Sequence, residues 1–173
     1  MTTDREFIAL NIAILVVSDT RTEADDVSGK TLADRAIEAG HHVLEKRIVP
    51  DNIYQIRAVV SDWIAKTEIQ VIISTGGTGV TGRDGTPEAI APLLDKVLEG
   101  FGETFRMLSY QDIKTSTIQS RALAGVANAT YVFCLPGSSS ACRTGWDSLI
   151  KEQLDHRTRP CNLAQLIPRL TER

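Results

Sequence analysis

Apolar positions in this chain follow two alternating rhythms. Ile8 to Val17 is an almost unbroken apolar run closed by Ser18-Asp19, the pattern of a strand buried on both faces. From Thr31 to Ala39 the period lengthens: Leu32, Ala33, Ala36 and Ile37 share one helical face, and Gly40 supplies the stop. His42 to Val49 reads as a strand ended by Pro50-Asp51-Asn52, after which Ile53, Ile56, Val60, Trp63 and Ile64 recur at helical spacing. Ile69 to Thr75 is a second central strand. A Gly/Thr turn follows, then a helix opening at Thr86-Pro87, where a proline is tolerated, with Pro92 placed to kink it. Beyond Gly100-Phe101-Gly102 the pattern predicts helices over Glu103–Ile113 and Thr117–Val126, and a strand over Thr130–Leu135 that ends in Pro136-Gly137-Ser138. It then predicts a long helix from about Ser140 to Leu154 and a helical tail from Cys161 to Leu170.

Strands alternating with helices predict an α/β fold: one layered domain over residues 1–173 with a mostly parallel sheet. No internal repeat, low-complexity segment or linker divides it. Sheets of this kind bind ligands at the loops that follow their strands. Ser18-Asp19, Pro50-Asp51, the Gly/Thr turn and Pro136-Gly137-Ser138 all occupy such positions and are expected to converge on one edge.

Composition narrows the function classes. With 19 basic and 22 acidic residues, a net charge of −3 and few aromatics, the chain lacks the basic stripe and stacking rings of a nucleic-acid binder. Cys134, Cys142 and Cys161 form no CxxC or Cys/His cluster, so neither a disulfide framework nor a zinc site is signalled. The polar start Met1-Thr2-Thr3-Asp4-Arg5-Glu6 does not read as a signal peptide, and no apolar run is long enough for a membrane span. A soluble cytoplasmic protein is expected.

The chemistry concentrates in Ser74-Thr75-Gly76-Gly77-Thr78-Gly79-Val80-Thr81-Gly82-Arg83-Asp84-Gly85-Thr86-Pro87. Glycines there let backbone N–H groups close around a small anion, and threonine hydroxyls add donors. Gly77 to Gly82 matches GxGxxG, but Asp84, Gly85 and Pro87 delay the helix that a dinucleotide fingerprint requires, so a nicotinamide-dependent oxidoreductase rests on that match alone. A P-loop fails because Gly82-Arg83-Asp84 stands where Gly-Lys-Ser/Thr is needed. Asp84 reads either as a turn residue, with Thr86 capping the next helix, or as a ligand for a cation shared with phosphate. Asp51 reads first as a helix N-cap and, from its strand end, also as a residue within reach of the same site. Ser28 is expected to cap the first helix, with Asp25 and Asp26 as solvated surface charges, and that helix N-terminus suits an anion. Pro136-Gly137-Ser138 reads as a capping turn or a second polar cradle, and Arg121 as a surface residue or a partner for phosphate through its planar guanidinium. His41, His42 and His156 show no catalytic or metal spacing, and no Ser/His/Asp or Cys/His arrangement emerges.

Taken together, these stretches resemble the MoaB/MogA family of molybdenum cofactor biosynthesis proteins, nearest its MoaB branch. The resemblance runs from Ala13-Ile14-Leu15-Val16-Val17-Ser18-Asp19 and Asp26-Val27-Ser28-Gly29 through Thr75 to Gly79 and Arg83 to Ala89. It continues over Glu99 to Arg106, Thr117 to Ala122, Leu135 to Ser138 and the tail Arg157-Thr158-Arg159-Pro160-Cys161-Asn162. It implies a three-layer α/β/α domain assembling as a homotrimer or a homohexamer. It also implies molybdopterin, a pterin-dithiolene with a terminal phosphate, as ligand, and ATP with Mg2+ as co-substrate. Active members transfer AMP to that phosphate and release pyrophosphate. The family's catalytic aspartates fall on Asp51 and Asp84, which are also the implied Mg2+ ligands, and its binding loop on Thr75, Gly76, Gly77, Thr78 and Gly79. Further ligand contacts carry over to Gly100, Phe101, Gly102, Glu103, Ser120, Arg121, Pro136, Gly137 and Ser138. Ser18, Asp19, Asp26, Ser28 and Gly29 are candidates for the nucleotide side. One departure stands out: adenylyltransferases of the MogA branch often carry a second arginine before the aspartate, where this chain has Gly82-Arg83. The expectation is therefore a molybdopterin adenylyltransferase, with a non-catalytic molybdopterin-binding or delivery protein of the same fold as the alternative.

Overall fold

A computed structural model describes residues 5–172; the expectation that Met1 to Asp4 are no signal peptide lies outside the described residues. One six-stranded sheet organises the molecule, in the order β2-β1-β3-β6-β5-β4. Its strands are β1 (Asn11–Val17), β2 (His42–Val49), β3 (Val71–Thr75), β4 (Lys96–Val97), β5 (Leu123–Ala127) and β6 (Thr130–Leu135). The first three and β6 run parallel, β5 returns antiparallel to β6, and the edge strand β4 pairs antiparallel with β5 and so runs with the majority again.

The apolar runs are continuous because both sheet faces are covered. Ile12, Ile14 and Val16 of β1 point into one core with Val71, Ile73, Phe133 and Leu135. Ala13, Leu15 and Val17 point into the other with Ile72, Val132 and Cys134. Helix α1 (Val27–Glu38), α4 (Glu99–Ile113) and α5 (Ser139–Gly145) contribute Leu32, Phe105 and Cys142 to the first core. Helix α2 (Ile53–Ile64) and α3 (Thr86–Ile90) contribute Ile56, Val60, Trp63 and Ile90 to the second. The result is the expected three-layer α/β/α arrangement.

Several elements depart from the periodicity. Helix α1 starts at Val27, four residues before the apolar face becomes readable, because Asp26 caps it by accepting the Gly29 N–H. Helix α4 starts at Glu99 and runs through Gly100-Phe101-Gly102, which the pattern marks as a break. Pro92 ends α3 in a single 3-10 turn, Ala91–Leu93. The helix expected over Thr117–Val126 is instead a 3-10 segment, Lys114–Gln119, followed by β5. The long helix exists as α5, one π turn (Trp146–Ile150) and α6 (Lys151–Leu154). The tail is a 3-10 segment, Ala164–Arg169.

The order of the strands places the site. From β1 the chain goes through α1 to β2 on one side, then through α2 past β1 to β3 on the other. The sheet thus reverses direction between β1 and β3, and an open α/β sheet leaves a crevice beyond the strand ends at such a point.

Candidate functional site

A crevice of about 460 Å³ opens at that switch point. Its floor comes from three strand ends: Val16-Val17-Ser18 after β1, Thr75 to Gly79 after β3, and Pro136-Gly137-Ser138 after β6. The expected convergence of polar loops holds for these three. The floor is stitched together by hydrogen bonds. Gly76 donates its N–H to the Leu135 carbonyl (3.0 Å), Thr75 Oγ1 donates to the Pro136 carbonyl (2.9 Å), and Ser28 Oγ donates to the Gly137 carbonyl (2.8 Å).

Two glycines have no substitute there. Gly76 sits at φ +101°, and a Cβ would lie 2.2 Å from the Val17 carbonyl oxygen. Gly77 sits at φ +65°, where a Cβ would meet Thr86 Oγ1 at 2.3 Å and Asp51 Oδ2 at 2.7 Å. Both backbones are held in a conformation that L side chains resist. Among the described residues the Gly77 and Thr78 N–H groups donate to no protein acceptor. Such unpaired N–H groups on successive residues have the arrangement of a backbone nest, which can accept an anion.

Each sequence candidate finds a place. Asp84 lines the crevice; its Oδ2 accepts from the Thr81 hydroxyl (2.6 Å) and the Thr81 N–H (2.9 Å). The Thr81 hydroxyl, then the Thr81 and Gly79 N–H groups, hold its carboxyl below the usual range. Asp51 stands behind Gly77. It does not cap α2, a role taken by Asn52; its Oδ1 instead accepts the Gly85 N–H (3.1 Å). Burial pushes the Asp51 carboxyl up, and the charges of Asp84 and Asp19 add to this, against the Gly85 N–H and Arg83. Asp19 Oδ1 accepts the Asp51 N–H (3.1 Å), while its Oδ2 pairs with Arg83 at 2.7 Å.

Ser18, Asp26 and Ser28 line the crevice, and Gly29 is buried behind Asp26. Asp26 corrects the reading of a solvated charge and of Ser28 as cap. It is 4% exposed, caps α1, and pairs with Lys46 at 2.7 Å. Ser138 caps α5 as expected, accepting the Ala141 N–H. Thr86 does not cap α3, where Gly85 holds that position; its hydroxyl donates to the Gly76 carbonyl (2.9 Å). Because α3 opens only at Thr86, the Gly77–Gly82 stretch caps no helix, which removes the dinucleotide fingerprint's geometry.

Ser120 reaches the crevice, but Arg121 does not line it. Gly100, Phe101, Gly102 and Glu103 are not brought to it either. They form the first turn of α4, with Gly100 and Phe101 against an apolar hollow and Gly102 against the Ala122 carbonyl. The opposite wall consists of residues that sequence reasoning missed: Phe105, Ser109 and Ile113 of α4, with Ser116 and Gln119 beyond it. Their signal was present, since 105, 109 and 113 are four apart and share one helix face. Arg21, at the mouth, was also missed. Beneath the floor, the fully buried Cys142 lies 3.2 Å from Thr75 Oγ1, and burial pushes its thiol up to about 11.

For a cation, the donor set is two carboxylates flanking backbone N–H groups, and no cluster of three His, Cys, Asp or Glu occurs among the described residues. That set fits a hard cation that takes its other ligands from phosphate and water, and does not fit an all-protein cage. No helix among the described residues is long and apolar enough to cross a membrane.

Comparison with known proteins agrees with this architecture. Residues 13–156 match the family described as probable molybdopterin binding domain. The molybdenum cofactor biosynthesis protein B of Escherichia coli strain K12 is 60% identical over 157 residues, covering 91% of this chain and 92% of that protein. A crystal structure of a molybdenum cofactor biosynthesis protein B superposes with a TM-score of 0.87 at 38% identity, covering 98% of this chain and all of the other. The tungsten cofactor synthesizing protein MoaB from Pyrococcus furiosus gives 0.76 at 37% identity, over 83% of this chain and 92% of that one. Thus the chain belongs to the probable molybdopterin-binding domain family of molybdenum cofactor biosynthesis proteins, on its MoaB side.

Proposed function

We propose that the crevice binds molybdopterin and that the chain adenylylates its terminal phosphate with Mg-ATP in the cytoplasm. A phosphate oxygen of molybdopterin would attack the α-phosphorus of ATP, the bond to the bridging oxygen of the β-phosphate would break, and pyrophosphate would leave. The observation that carries this reading is the pairing of two aspartates from separate loops, Asp51 and Asp84, around the N–H-lined Gly77-Thr78-Gly79 turn. Two phosphate-bearing reactants repel each other, and donors aimed at both reduce that cost. Mg2+ held by Asp51 or Asp84 would neutralise phosphate charge. Phosphoryl-type transfer asks mainly for positioning and electrostatic stabilisation, which fits a crevice with no nucleophile–base pair. Purified protein given molybdopterin and Mg-ATP should release pyrophosphate. Asp84→Asn should reduce release at least about a hundredfold while leaving the circular dichroism spectrum unchanged. A wild-type protein without turnover sinks the enzymatic reading.

A second reading, binding and delivery of molybdopterin without turnover, draws on the cations in and around the crevice. Arg83 is engaged by Asp19, Lys46 by Asp26 and Glu23, and Arg121 by Glu88, which leaves Arg21 to meet a triphosphate. Such a protein would bind molybdopterin with an affinity unaffected by Mg-ATP. We also propose assembly as a homotrimer or a homohexamer. The exposed apolar side chains of Met107, Tyr110, Ile113 and Ile118, adjoining the crevice wall, support association, and light scattering coupled to gel filtration measures it.

A further inference from the structure

Arg121 is the residue whose guanidinium the sequence offers to a phosphate, and its donors are used elsewhere. It lies between the Lys114–Gln119 segment and β5, from which its side chain crosses back to the Gly/Thr loop. Nε donates to the Gly79 carbonyl (2.7 Å), Nη2 donates to the Asp84 carbonyl (3.1 Å), and Nη1 donates to the Glu88 carboxylate. Its backbone N–H donates to the Thr78 carbonyl at 3.2 Å. These contacts grip the loop at Thr78-Gly79, at Asp84 and at the first turn of α3. Every loop atom they engage is a carbonyl oxygen. The N–H groups of Gly77 and Thr78 stay available, and the Asp84 carboxylate stays with Thr81 and the crevice.

A flat fork with donors in fixed directions can hold Gly79 and Asp84 at a set separation, whereas an ammonium group acts as a point charge and cannot span them. We propose that Arg121 is a positioning residue, locked by Glu88, which fixes the Asp84 carboxylate and the glycine-loop N–H groups from behind and does not itself bind phosphate. This inference rests on the crevice being the ligand site proposed above.

The full-length protein carrying Arg121→Lys or Glu88→Gln tests it. Amide hydrogen exchange over residues 77–86, measured without ligand, should speed up by about tenfold or more in Arg121→Lys and by a smaller factor in Glu88→Gln. In pyrophosphate release, Arg121→Lys should lower kcat by about 10- to 100-fold and move KM for molybdopterin by less than about threefold, because a small displacement of Asp84 acts on the chemical step. Titration with inorganic phosphate should show both variants binding no tighter than wild type. A phosphate-binding arginine gives the opposite results. Lysine would then preserve kcat and raise KM, and Glu88→Gln would tighten phosphate binding by releasing the cation. Either outcome, or unchanged exchange in both variants, overturns the proposal. If wild type releases no pyrophosphate, the transferase reading fails alone, since exchange and phosphate titration still decide the role of Arg121.

Discussion

At the scale of single residues, the two aspartates of the site have been given opposite environments. Asp84 is surrounded by donors, chiefly the Thr81 hydroxyl, so its carboxyl lies below its ordinary value. Asp51 is partly buried near two like charges, so its carboxyl resists ionisation and lies above its ordinary value. Should charge on Asp51 be required for turnover, the acid limb of the pH–rate profile reports it. Arg83→Gln removes a cation that favours the charged form and should move that limb to higher pH. Asp19→Asn keeps the acceptor for the Asp51 N–H, removes a like charge, and should move it lower. Two opposite displacements of one limb, read from the pH dependence of pyrophosphate release, distinguish Asp51 from any other titrating group. Coincident limbs would show that Asp51 is not the group being titrated.

At the scale of elements, the Gly/Thr loop works because the ends of β1, β3 and β6 touch. Gly76→Ala would place a methyl against the Val17 carbonyl and hold alanine at a positive φ. It should lower unfolding free energy in urea by about 1–3 kcal/mol. A variant as stable as wild type would show that the loop can shift at no cost. This loop was readable from sequence because its glycines are a local demand of the backbone. The β1, β3 and β6 runs were readable because burial on both faces leaves a continuous apolar signature. Strand β5 was not. Leu123-Ala124-Gly125-Val126-Ala127 carries little β propensity of its own, and it becomes a strand by pairing with β6 across a hairpin whose Asn128-Ala129 corner adopts positive φ without the usual glycine. The caps were harder still. Asp26 and Ser28 both suit the start of α1, and only the partly buried partner Lys46, twenty positions away, shows that it is the Asp26 carboxylate that is held there.

At the scale of the whole molecule, the edge strand β2 is fastened to the layer beneath it by one carboxylate. Glu45 accepts from Lys66 Nζ (2.6 Å) and from Trp63 Nε1 (3.0 Å), with Arg47 alongside, and these donors bring its carboxyl down to about 2. A depressed folded-state value means that the contribution is complete above the ordinary glutamate range, near 4.5, and is lost as pH falls toward 2. Glu45→Gln should therefore lower the thermal midpoint by a few degrees at neutral pH. The gap to wild type should close between about pH 4.5 and 2, followed by circular dichroism melts. A gap that persists at pH 2 would assign the loss to packing against Trp63.

Cys142, sealed under Thr75, gives the site a further character. A thiol that deprotonates only near 11 and has no exposed surface is a poor nucleophile and a poor partner for exchange. A sulfur-bearing guest resting on the crevice floor would meet hydroxyls and amides there. The compartment is redox-quiet: a dithiolene could be held through its phosphate without its sulfurs being drawn into a mixed disulfide with Cys142 beneath it.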